Sequence, residues 1–247
     1  AKVSVFLGRN DEVIQILQNR KIYSDQMEFF YLDYLLANAY QNKLSDSCLV
    51  YYNKYLGYPT VKNFKKSSAQ RKAWQYLMKG DTLQYLTIMK LIPQIGQNEV
   101  DADKQALIAS TRGEIPNILL LKARLLFDGG YYRKALNLLI SNRDKLESLS
   151  IEQQTEYHYR LGRIYDGMDN KVSARLEYSK ALELGRDLPQ YYAANASLMI
   201  AMIYEEQNKY ALAEHYYKMV LDMPFEEYRN SITQKAKIGL DRTKKIK

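Results

Sequence analysis

At 247 residues and a formal net charge of +8, the chain is long enough for one large or two ordinary folded bodies. A single cysteine, Cys48, excludes an internal disulfide, and no Cys/His pattern has metal-ligand spacing, so a packed core rather than a covalent or metal staple must hold the fold. With 11 Gly and 5 Pro against plentiful Leu, Ala, Lys, Glu, Gln and 23 Tyr, long helices are favoured over short strands, and no apolar run approaches the roughly 20 residues that span a bilayer.

No charged, apolar and small-residue leader pattern opens the chain at Ala1, and the compartment stays open between cytoplasm and bacterial cell envelope. Gly8 to Leu17 reads as a turn followed by the second helix of a hairpin whose first helix is short or missing. Tyr34-Leu-Leu-Ala37-Asn-Ala-Tyr40, followed by Cys48, Tyr52 and Tyr55, reads as a complete helical hairpin.

Residues 59 to 113 show no clear repeat. Ala69 to Met78 and Thr82 to Ile92 are predicted helical, Gln94 to Ala109 is interrupted at Gly96, and Thr111 to Pro116 is a loop; the segment is a degenerate repeat, a helical insertion, or a boundary between an N-terminal repeat pair and a C-terminal triple. From Cys48 to Gly80 there is no acidic residue, while Lys54, Lys62, Lys65, Lys66, Arg71, Lys72 and Lys79 are cationic. Tyr58, Phe64, Trp74 and Tyr76 interleave with them. Bases stack on aromatic rings while cations hold phosphates, so this segment suggests single-stranded nucleic acid binding as the alternative function. The competing reading is a solvated basic helix with its aromatic side chains packed inward.

The strongest signal follows. Small residues recur at Ala123, Gly162 and Ala201, and again at Ala135, Ala174 and Ala213, always 39 apart. Turn formers Gly130, Asp169 and Asn208 share the period, as do the large residues Leu139, Tyr178 and Tyr217. The pattern predicts helical hairpins, in which a small residue on the first helix lets the second cross closely, a large residue seals the contact and a left-handed turn joins the two. Ser231 to Lys245 is an amphipathic capping helix with Ile232, Ala236 and Leu240 on one face, and Arg242, Lys244, Lys245 and Lys247 make its end basic. The expected organisation is thus one and a half hairpin copies in 1–58, an irregular basic helical segment in 59–115, three copies in 116–232, and a cap and basic tail in 233–247.

In 155–188, Leu161, Gly162, Tyr165, Ala174, Tyr178 and Ala181 stand in the order of the tetratricopeptide repeat pattern, and the chain resembles that family. Ile200, Ala201, Tyr204, Ala213 and Tyr217 follow it in 194–227, where Val220 replaces the last Ala; the 116–149 copy keeps Ala123, Gly130, Ala135 and Leu139, with Asn142 at the final position. The resemblance implies an all-α fold, a right-handed superhelical solenoid of stacked hairpins, and a concave groove lined by the first helices. The period of 39 exceeds the family's usual repeat of about 34. Other helical-repeat families therefore remain as alternatives.

Transferred through the resemblance, the groove positions are Tyr31, Tyr34, Asn38 and Gln41, then Leu120, Arg124 and Phe127, then Tyr159, Arg163 and Asp166, then Leu198, Met202 and Glu205. Arg124 and Arg163, one period apart, are suited to carboxylates of a bound partner, unless Asp128, Asp166 or Glu205 already hold them. His158 and His215 have no nucleophile or acid placed by spacing, Gly129-Gly130 is a turn rather than a phosphate cradle, and Glu205-Glu206 and Glu226-Glu227 point to different helix faces. The expectation is a non-catalytic scaffold without cofactor or metal that binds another protein or peptide in its groove, with no membrane span.

Overall fold

The computed structural model describes residues 4, 8–20 and 29–245. Among them the chain forms fourteen α-helices and one short 3-10 helix, with no strand, and neighbouring helices pack in pairs. No helix among the described residues is long and apolar enough to cross a membrane. Two compact units divide the chain, Ala1–Tyr131 and Tyr132–Lys247.

The first unit contains α1 (Asn10–Gln18), α2 (Tyr31–Asn42), α3 (Cys48–Gly57), α4 (Lys65–Met78), α5 (Thr82–Leu91), the 3-10 turn Ile92–Gln94, α6 (Asp101–Arg112) and α7 (Ile118–Asp128). Consecutive helices pair from α1 to α5, and α7 lies against both α2 and α4. The second unit contains α8 (Tyr132–Ile140), α9 (Arg143–Glu147), α10 (Ile151–Gly167), α11 (Lys171–Gly185), α12 (Tyr192–Glu206), α13 (Tyr210–Asp222) and α14 (Arg229–Lys245). There α10 pairs with α11 and α12 with α13, while α10 also packs directly on α12, and α12 on α14. The unit boundary falls inside the copy read at 116–149.

One turn recurs along the chain. Gly8, Leu44, Gly80, Gly130, Asp169 and Asn208 all have positive φ, between 58° and 86°. The residue after each donates its N–H to a carbonyl five positions back: Arg9 to Ser4, Ser45 to Tyr40, Asp81 to Tyr76, Tyr131 to Leu126, Asn170 to Tyr165 and Lys209 to Tyr204. This bond closes a helix C-terminus through a left-handed residue, the Schellman arrangement. Gly130 is confined further, because a Cβ there would lie 2.0 Å from the Gly8 carbonyl oxygen.

Five residues after the turn the next helix buries a side chain, and four later another. The pairs are Val13 and Leu17, Tyr85 and Met89, Ala135 and Leu139, Ala174 and Tyr178, and Ala213 and Tyr217; Cys48 and Tyr52 follow Leu44 one residue sooner. Residues 65–91 therefore make a hairpin of the same kind inside the segment that shows no repeat in the sequence. Tyr85 disguises it, standing where the other copies carry a small residue. At Gly162 the helices cross closely, since a Cβ there would lie 2.4 Å from Tyr178 Cδ1.

Between these hairpins the first unit needs special joints. Phe64, which precedes α4, is itself left-handed at φ 59° and supplies no side-chain cap. Asp103 of α6 takes that role from outside, accepting from the backbone N–H groups of Phe64 at 2.5 Å and Ser67 at 2.8 Å. A fully buried carboxylate thus satisfies donors that the helix start leaves open.

Candidate interaction surface

In the first unit the inward row of α2 is covered. Because α4 and α7 both pack against α2, its side chains meet protein rather than an open groove. Tyr34 is buried and its hydroxyl shares a hydrogen bond with Ser67 Oγ at 2.9 Å. Tyr31 is half-buried and stacks on Tyr34 with ring centroids 5.6 Å apart. Asn38 and Gln41 are buried acceptors for the Tyr52 hydroxyl, at 2.7 and 3.0 Å, and Gln41 also donates to the Arg71 carbonyl. Leu120 of α7 has no exposed surface, Phe127 is half-buried, and Arg124 lies with its guanidinium 5.3 Å from the Trp74 ring centroid and 4.0 Å from Asp128. These seven positions build the interior of the unit and its margin.

The cationic segment is likewise drawn into the fold. Lys65 and Lys66 are buried and donate to backbone carbonyls, Lys65 to Leu56 and Tyr58 and Lys66 to Ile92 and Pro93. Those carbonyls end α3, enter the following loop and form the 3-10 turn. Arg71 donates to Gln41 Oε1 at 3.2 Å, Lys54 lies 3.0 Å from buried Asp33, and Lys79 lies 3.0 Å from Asp46. Burial pushes the Lys72 ammonium below its usual range, while Lys62 is exposed. The aromatic residues are equally engaged: Phe64 packs on Tyr31 and Tyr34, the Tyr58 hydroxyl donates to Asp33, and Trp74 is buried between Arg71 and Arg124. Asp33 illustrates the balance, because burial raises its carboxyl pKa but bonds from Arg20, Tyr58 and Lys54 outweigh that and hold it below its ordinary value. At the other end Arg242 is engaged with Glu205 and Lys244 is exposed; the Lys245 side chain and Lys247 lie outside the described residues.

In the second unit the first helices α10 and α12 pack side by side and keep a partly open row. Tyr159 and Leu198 are buried beneath it. Tyr159 accepts hydrogen bonds from Arg163 Nη1 at 3.0 Å and Asn195 Nδ2 at 2.6 Å, so both donors are fixed over a buried phenol. Met202, one period after Arg163, is 39% exposed. Asp166 meets Lys171 Nζ at 2.8 Å, and that same ammonium lies 3.4 Å from Glu206 and 4.0 Å from Asp169. Glu205, one period after Asp166, takes a two-pronged bond from Arg242, at 2.7 and 2.8 Å, and accepts from the Tyr217 hydroxyl. The Arg242 guanidinium holds the Glu205 carboxyl below its usual range. Asn195, Lys171 and Arg242 are absent from the sequence-based assignment: Asn195 stands one turn ahead of Leu198, while the other two come from helices outside the first-helix set.

Cys48 and His158 are held within the packed fold. Cys48 is fully buried and desolvation pushes its thiol up to about 12, so a thiolate is scarce at neutral pH. His158 Nδ1 lies 2.6 Å from Glu177, which also accepts from Lys180 at 2.9 Å. Burial raises the Glu177 pKa, but these two partners bring it below its ordinary value. His215 is exposed and sits edge-on to Tyr216. Among the described residues no group of three or more His, Cys, Asp or Glu is placed to hold a metal ion.

Comparison of the chain with protein-family models, curated proteins and solved structures finds no match.

Proposed function

We propose that the chain is a tetratricopeptide-type repeat scaffold that binds an extended or helical segment of another protein on the α10–α12 face, without catalysis. What supports the repeat reading is the single turn geometry used six times, each followed by a buried pair on the next helix. The observation that carries the binding reading is the row on adjacent first helices, where Arg163 and Met202, and Asp166 and Glu205, occupy the same register one period apart. Such a face offers an apolar anchor, Met202, between polar groups whose orientation is already fixed, which lowers the ordering cost of binding. In this reading the solenoid surface is confined to the second unit, because the corresponding row of the first is packed over.

A peptide array probed with the full chain tests the assignment. Met202→Glu places a charge in the centre of the face without removing an internal partner; Val172→Glu on α11, at a side chain 71% exposed, is the control. Peptides bound by the wild type are expected to lose binding with Met202→Glu and keep it with Val172→Glu. Unchanged binding with Met202→Glu contradicts the assignment. The nucleic acid alternative gains no support from the packing of Lys65, Lys66, Arg71 and Trp74, and absence of retention on single-stranded DNA or RNA at low salt would eliminate it.

A further inference from the structure

Two successive copies treat the same pair of positions differently. In the later copy the Tyr217 hydroxyl donates to Glu205, and a guanidinium from the C-terminal helix, Arg242 of α14, closes on both carboxylate oxygens. In the earlier copy the corresponding residues are Tyr178 and Asp166. The Tyr178 hydroxyl is buried without a hydrogen-bond partner, and the residue is fully buried. Burial disfavours its ionisation most, with Asp166 adding to that and Arg163 opposing it. Among the described residues Asp166 has no two-pronged guanidinium bond of the kind Glu205 receives. One ammonium, Lys171, is instead shared among Asp166, Asp169 and Glu206.

A buried donor without an acceptor is costly and points to a group missing from its surroundings. Three carboxylates on one ammonium, in the copy whose tyrosine lacks the carboxylate bond that Tyr217 makes one period later, form a site that a further cation completes. Resting on the binding face proposed above, we infer that the Asp166–Glu206 site, backed by Tyr178, takes an arginine of the partner segment, as Glu205 backed by Tyr217 takes Arg242. The incoming guanidinium bridges Asp166 and Glu206, whose carboxylates already converge on Lys171, and Asp166 turns to accept from Tyr178. Its planar fork suits two carboxylates better than a second ammonium does. Asp169, with a side chain 91% exposed, adds long-range attraction.

The probe is a fluorescein-labelled octapeptide of six glycines and two arginines, compared by anisotropy with the same peptide carrying two glutamates. On a chain of net charge +8, non-specific attraction favours the glutamate peptide, so preference for arginine reports a local site. Saturable binding of the arginine peptide is expected, weakened at least about fivefold by Asp166→Asn combined with Glu206→Gln, the equivalent of roughly 1 kcal/mol. Tyr178→Phe is expected to weaken it about threefold with no loss of thermal stability, because the hydroxyl it removes has no partner in the free protein. No saturable binding, equal binding by the variants, or preference for glutamate overturns the inference. If array peptides lose binding with Met202→Glu yet contain no arginine dependence, this inference fails while the face survives; if they ignore Met202→Glu, the face fails first.

Discussion

Gly162→Ala perturbs the close crossing of α10 and α11 with a single carbon. Built on the existing backbone, that Cβ lies 2.4, 2.6 and 2.9 Å from Tyr178 Cδ1, Cε1 and Cγ, where carbon contacts settle near 3.5–4.0 Å. Tyr178 is fully buried, so its ring cannot swing into solvent; either α11 retreats or the ring leaves its rotamer. Overpacking of this kind costs about 1–3 kcal/mol, against a gain of about 1 kcal/mol from replacing Gly by Ala within a helix. A net destabilisation of up to about 2 kcal/mol follows. Native-state hydrogen exchange on the α10 and α11 amides of the full chain measures it locally, without assuming that both units unfold together. In a Tyr178→Leu background the clash is relieved, and Gly162→Ala should become neutral or stabilising. If Gly162→Ala stabilises the otherwise wild-type chain by its full helix propensity, the close crossing does not constrain this position and the reasoning fails.

Removing hydroxyls separates the two tyrosine columns: Tyr217→Phe, which removes one of the three hydrogen bonds to Glu205, should cost about 1 kcal/mol in chemical denaturation, whereas Tyr178→Phe should cost nothing or stabilise slightly. Asp33→Asn leaves Arg20 and Lys54 without their carboxylate, at an expected cost of about 2–4 kcal/mol at neutral pH. Because the folded-state pKa of Asp33 lies below its ordinary value of 3.8, the stability it contributes is present above that pH and is lost as pH falls through the folded value. The difference between wild type and Asp33→Asn should therefore narrow below about pH 4; a gap constant from neutral pH to pH 2 would contradict the pairing. Lys66→Met strands the carbonyls of Ile92 and Pro93 and should cost about 1–3 kcal/mol, measured by denaturation. Were the side chain a solvated phosphate ligand instead, the same change would leave stability untouched.

Helix content and hairpin pairing are legible in this chain because small, turn and large residues repeat every 39 positions. Gly130, Asp169 and Asn208 do adopt the left-handed conformation their residue types suggest. Leu44 gives no such warning, since a branched apolar side chain is disfavoured at φ 59° and only the surrounding hairpin holds it there. The hairpin at 65–91 escapes the repeat search because Tyr85 and Met89 replace the expected size pattern while preserving its burial. Groove positions inherited from the family resemblance are the least legible part. They depend on which helix covers which face, and α7 returning onto α2 and α4 is a long-range event with no local sequence signature. The acid-free run around Lys65 and Lys66 suggests a solvated strip for a similar reason: composition records charge but not the carbonyls at Leu56, Tyr58, Ile92 and Pro93 that receive it.

The central claim is that partners engage the α10–α12 row. Hydrogen exchange of the full chain with and without a saturating array-selected peptide tests it most directly. Slowed exchange is expected in α10 and α12, centred on the turns that carry Arg163 and Met202, with α4 and α5 unchanged. Protection confined to α4 and α5, or to the outer helices α11 and α13, would contradict the account.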